Sequence, residues 1–271
     1  MNLTLGGKTI ELALLNQSDL RPHEETVRHA YDELEASMRQ DELQRDPIIV
    51  DKKSGVVLDG THRLEVLRRL GAKLVACYLV DYASKDVRLL RWLRAVKRPT
   101  PKLLFRLERE LNLVFGGSEL LEAPTKIELW YRGDKLESRR DVDFPEICEV
   151  IRRFDQIVAQ EDAIIEFMDE EAFRHGAVEA DVSVLVTPRI QKSHVILAAK
   201  SGALLPPKSS LHVFPVRPMG VDYPIEFLKS GRDELDQRLA RRPLKTIEPP
   251  VVIGGRRYRE EILVFEQVSR E

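Results

Sequence analysis

The stretch Val56-Val57-Leu58-Asp59-Gly60-Thr61-His62-Arg63 puts a carboxylate, a glycine, a hydroxyl, an imidazole and a guanidinium in succession. It follows a short apolar run and leads into an amphipathic segment that closes at Gly71. A helix start offers unpaired backbone N–H groups and the positive end of a dipole. A glycine just before it lets a ligand approach the backbone. Together these make an anion site, to which Thr61, as cap or donor, and His62 and Arg63 can add. Asp59 is a poor neighbour for a bare anion. It makes sense if Mg²⁺ bridges it to phosphates, or if it accepts a proton. The pattern suits a nucleotide phosphate beside a metal or a nucleophile. The bland alternative is a Thr-capped helix with His and Arg exposed on its first turn. Glu24 and Glu25 follow Pro22-His23 at another expected helix start and supply further carboxylate. Acid there is also simply favourable to the dipole. His29, His175 and His194 form no ligand pair, which argues against zinc.

The elements that must hold these residues follow from periodicity. Lys8–Leu15 alternates like a strand, and residues 22–40 have helical spacing, with Val27, Ala30, Tyr31, Leu34 and Met38 on one side. Residues 46–60 read as two strands joined at Lys52-Lys53-Ser54-Gly55. Thr61–Leu70 reads as a helix with Leu64, Leu67 and Leu70 as its stripe and Gly71 as its stop. Residues 73–82 read as a buried strand and 84–96 as another helix. The segment Arg98-Pro99-Thr100-Pro101-Lys102 is the natural boundary between domains 1–97 and 98–271. Beyond it come mixed helices and strands. From about residue 221 an appendage follows, ending in a hairpin at Gly254-Gly255.

The 271 residues carry 43% hydrophobic and 32% charged side chains, with a formal net charge of -2. No basic field advertises nucleic acid. No apolar run approaches the ~20 residues of a membrane span. The N-terminal apolar stretch lacks a basic region before it, so a secretory leader is not expected. Cys77 and Cys148 stand in no metal or redox spacing, and a cytoplasmic setting is expected.

Over residues 9–82 the chain resembles the ParB/sulfiredoxin superfamily, in which a strand pair leads to a phosphate-gripping helix start. Sulfiredoxins carry a catalytic cysteine where this chain has Thr61. Partition-type ParB proteins continue into a DNA-binding helix-turn-helix, and this chain does not. A ParB-like nucleotide-dependent DNA-binding or regulatory protein is the alternative reading. The chain is most similar to the archaeal free L-serine kinases. Four separated motifs carry that resemblance: Pro22-His23-Glu24; Asp59-Gly60 with His62-Arg63; Asp81-Tyr82 with Trp92; and Pro207-Lys208-Ser209-Ser210-Leu211-His212.

The resemblance implies an α+β protein with a ParB/sulfiredoxin-like N-terminal domain, a second mixed α/β domain and an active site in the cleft between them. The implied reaction moves a phosphoryl group from ADP or ATP, with Mg²⁺, to the hydroxyl of free L-serine. The product, O-phospho-L-serine, feeds cysteine synthesis. Glu24 is then the base, with Glu25 able to swap roles. Asp59 assists it or holds Mg²⁺. Gly60, Thr61, His62 and Arg63 grip the nucleotide. Ser37 and Trp92 border the amino acid, and Lys208, Ser209, Ser210 and His212 return to bind the phosphoryl group or the acceptor. Nucleic acid and membrane are not expected as partners. Leu211 stands where the family often has Arg, a donor that Arg217 can replace. The segment 37–47 lacks a glycine often found there.

Overall fold

The run Ile48–Asp51 is buried at every position, as a central strand flanked on both edges must be. In this computed structural model, which describes residues 1–5, 7–26, 29–121, 123–176 and 181–267, it is part of a five-stranded sheet. The strands are β1 (Asn2–Leu5), β2 (Lys8–Asn16), β3 (Ile48–Asp51), β4 (Val57–Asp59) and β5 (Leu74–Val80), in spatial order β1-β2-β5-β3-β4. The β3–β5 pair is parallel and the rest are antiparallel. The β3–β4 hairpin and the β5 strand are those expected from the sequence. Buried Asp51 is satisfied by the Ser54 and Tyr82 amides, 3.0 and 3.1 Å away, which fixes the turn.

Two helices accompany this sheet, α1 (His29–Asp41) and α2 (Thr61–Arg69). Leu64, Val66 and Leu67 of α2 and Tyr31 and Met38 of α1 are buried. Val27 and the side chain of Ala30 lie outside the described residues. Residues 21–26 differ from expectation. They are not the first turn of a helix but an extended segment, with bridges from Arg21 to Val56 and from Glu24 to Leu205. Backbone partners on both sides outcompete the local helical pattern.

The chain divides into two compact units. The first holds 1–88, 195–207 and 212–271, so the C-terminal appendage belongs to the same unit as the phosphate motif. There Glu261–Phe265 pairs in parallel with Val216–Met219 and antiparallel with Leu244–Ile247. Val251–Ile253 and Arg256–Tyr258 form the expected hairpin, with both turn glycines at positive φ.

The second unit holds 89–194 and 208–211. Its antiparallel sheet runs Ile165–Asp169, Trp92–Lys97, Val182–Val186, Glu128–Tyr131, Asp134–Ser138, Leu113–Gly117. Helices Pro101–Glu110 and Phe144–Gln160 are capped by Thr100 and Asp143. The helix expected over 84–96 is absent, and Trp92–Lys97 is a strand. The cause is two arginines that look solvated in sequence and are buried in the fold. Arg91 pairs with Glu170 at 2.9 Å and Arg94 with Asp155 at 2.6 Å. Leu93 and Ala95 face a core of Trp130, Val184 and Val186, while Arg94 points to the opposite face. The true period is therefore two.

Candidate functional site

Gly60 caps α2 at φ 99°. A Cβ there would lie 2.9 Å from Arg63 Nη2 and 3.2 Å from Ile48 Cγ1, so only glycine fits. Thr61 is the first helical residue and not the cap. His62 lies against α1, its ring 5.4 Å from that of Tyr31.

Asp59, at the end of β4, is gripped by three guanidiniums. Arg63 Nη2 donates to Oδ1 at 3.3 Å, while Arg217 Nη1 and Arg256 Nη2 donate to Oδ2 at 2.7 and 3.1 Å. Arg217 in turn donates through Nε to Glu260 at 2.7 Å. Its guanidinium carbon lies 5.1 and 5.4 Å from the ring centres of Phe214 and Tyr258. Burial pushes the Asp59 carboxyl up, but Arg217, Arg256 and Arg63 outweigh it and hold the group well below the usual carboxylate range. So strongly stabilised an anion is a weak proton acceptor. Both its oxygens face cations, so Asp59 does not fit the role of a Mg²⁺ ligand. Among the described residues no group of three or more His, Cys, Asp or Glu is placed to hold a metal.

Behind this corner lies a network that unites motifs far apart in sequence. His212 is buried, with Nε2 2.8 Å from Tyr82 Oη. The His23 ring meets it edge-on at 5.5 Å. His23 Nδ1 is 2.6 Å from the Val57 carbonyl, which requires the ring to donate from Nδ1. Its Nε2 is 3.6 Å from Glu24 Oε1. Glu24 is fixed by its backbone: Leu205 N donates to His23 O at 2.9 Å, and Glu25 N to Leu205 O at 2.8 Å. Burial pushes His212 down to about 3, helped by His23 and Arg217, with Glu24 and Asp59 pulling the other way. His23, Glu24, Asp59, Tyr82 and His212 all belong to the first unit.

Ser37 is exposed on α1, where its hydroxyl donates to Asp41 at 3.2 Å. In the second unit, Lys208 Nζ lies 5.6 Å from the Trp92 ring centre, and Ser209 and Ser210 are buried. Sequence reasoning missed Arg256 and Glu260. It considered Arg217 as a phosphate donor but not as the partner of Asp59. With sequence separations of 158 and 197 from Asp59 to its two distant arginines, no local signal could have joined them.

No protein-family model matches the chain. The ADP-dependent L-serine kinase SerK of Thermococcus kodakarensis is 24% identical over 234 residues, 82% of this chain and 94% of that protein. An ATP-dependent L-serine kinase of Staphylothermus marinus is 24% identical over 241 residues, 82% of this chain and 93% of that protein. The chain is a homologue of the L-serine kinases. Its fold agrees: a free serine kinase mutant solved in complex with ADP superposes with a TM-score of 0.65 at 23% identity, over 80% of this chain and 93% of that one. The α+β class expected from the sequence is the class these structures share. Among the described residues no helix is long and apolar enough to cross a membrane.

Proposed function

We propose that the protein is a kinase of free L-serine that uses ADP or ATP and yields O-phospho-L-serine for cysteine synthesis. One observation carries the reading. Glu24, from an extended segment, lies 3.6 Å from His23, whose ring is held on the Val57 carbonyl of β4, the strand that ends at Asp59 and opens into α2. A remote acid beside a phosphate-type helix start suits transfer to a hydroxyl. A module that only binds nucleotide has no need of it.

In this reading the amides after Gly60, with Thr61, His62 and Arg63, hold the nucleotide phosphates at the positive end of α2. Glu24 accepts the proton of the serine Oγ as that oxygen bonds to phosphorus. The bond from phosphorus to the bridging oxygen breaks, and the donor leaves as AMP from ADP or as ADP from ATP. Such transfer depends on positioning and charge neutralisation more than on covalent help. Asp59 keeps the arginines gathered. Asp59 is already taken by cations, so no Mg²⁺ is assigned to it. Ser37 and Trp92 border the amino acid, and Lys208, Ser209 and Ser210 contact the phosphoryl group or the acceptor, as the resemblance implies. Cys77 and Cys148 are buried thiols, which suits a reducing cytoplasm.

The test is a matrix of donors against acceptors on wild type and Glu24→Gln. Wild type makes phosphoserine with ADP, ATP or both. Glu24→Gln lowers turnover at least ~100-fold, the scale of a positioned base, and keeps the fold. Retention on DNA with steep salt dependence and no turnover would refute the kinase.

A further inference from the structure

The three guanidiniums on Asp59 are not equivalent. Arg217 is locked, with Nε on Glu260, Nη1 on Asp59 and a side chain only 5% exposed. Arg63 belongs to α2 itself and also lies 3.9 Å from Asp46. Arg256 comes from the C-terminal hairpin, directly after the Gly254-Gly255 turn, and its side chain is 37% exposed. It meets Asp59 at 3.1 Å. Its aromatic neighbour, Tyr258 at 5.0 Å, is on its own strand.

Arg63, Arg217 and Arg256 stand against Asp59, Glu260 and, at 3.9 Å from Arg63, Asp46, at the start of α2, where the helix dipole adds positive character. Arg217 Nη2 is buried with no hydrogen-bond partner among the described residues, so donors there exceed acceptors. An exposed arginine on a hairpin end can turn its fork toward a phosphate, which takes guanidinium through two oxygens. We infer that Arg256 is a phosphate-contacting residue of the nucleotide site, supplied by the C-terminal hairpin, and that it exchanges Asp59 for a nucleotide phosphate on binding. Arg63 and Arg217 stay on Asp59, so the exchange leaves no bare buried carboxylate. The inference deepens the kinase reading and rests on it.

Calorimetric titration of wild type, Arg256→Ala and Arg256→Lys with ADP, ATP and adenosine tests it. The alanine variant weakens ADP and ATP by about 10- to 100-fold, the scale of a hydrogen bond to a charged group, and leaves adenosine binding unchanged. The lysine variant, which keeps the charge without the fork, falls between. An alanine variant that binds ADP as tightly as wild type overturns the inference and leaves the kinase standing. Equal losses for adenosine and ADP also overturn it, because phosphate is then not what Arg256 senses. Wild type that binds no nucleotide overturns both. If the alanine variant fails to fold, the lysine variant decides: ADP affinity equal to wild type overturns the inference.

Discussion

His212 illustrates what burial does to a single residue. Its imidazole is kept neutral by desolvation, with a folded-state value of about 3 against 6.5 when free. The unfolded chain therefore binds a proton between those values that the folded chain refuses. Stability from this group is fully present above about pH 6.5 and falls as pH drops toward 3. At pH 5 the loss is up to about 2 kcal/mol, from about 1.4 kcal/mol per unit of pKa difference. Asp59 adds in the same direction at lower pH, because its depressed carboxyl must take a proton. Urea unfolding of wild type and His212→Gln at pH 7 and pH 5 isolates the imidazole. The variant loses less stability between the two pH values, and equal losses would refute the assignment. The sequence marked His212, Glu24 and Asp59 by their motifs. It did not disclose that Asp59 is neutralised by cations, because burial and pairing across 158 residues leave no trace in local spacing.

Among the elements, the β4–α2 junction was the most legible, since strand, glycine and helix are contiguous there. Less legible were residues 21–26, whose backbone bonds are to Leu205, Gly55 and Val57, and the segment 91–97, whose buried Arg91 and Arg94 mimic a polar helix face. Two glycines bracket α2 and separate strain from function. Gly71 has φ 79° and no atom within 4 Å of an added Cβ. Gly71→Ala therefore carries only backbone strain, about 1–2 kcal/mol. Gly60→Ala has the same kind of strain and in addition presses on Arg63 and Ile48. Thermal unfolding falls for both variants. Nucleotide affinity falls only for Gly60→Ala. A Gly60→Ala protein that binds ADP normally would show that the backbone after residue 60 does not meet the phosphates.

On the scale of the whole chain, the C-terminal segment that looked like an appendage is built into the first unit. Glu261–Phe265 lies between Val216–Met219 and Leu244–Ile247, and Ile262, Leu263 and Phe265 are buried. Glu260, just before it, is the counter-ion that lets Arg217 stay buried. A chain ended after Pro250 loses the central strand of that sheet and leaves Arg217 with Asp59 alone. Removing one partner of a buried ion pair costs about 3–5 kcal/mol, and the lost apolar burial adds to it. The truncated chain therefore unfolds at a lower temperature, and amide hydrogens of Val216–Met219 and Leu244–Ile247 exchange faster. Replacing only 251–258 with a flexible linker keeps Glu260 and the strand, so most stability is retained while Arg256 is gone. Hydrogen exchange and thermal unfolding of the two variants separate the outcomes. If the chain ended at Pro250 unfolds at the wild-type temperature, the C-terminal strand is not part of the cooperative unit that holds Asp59 in place.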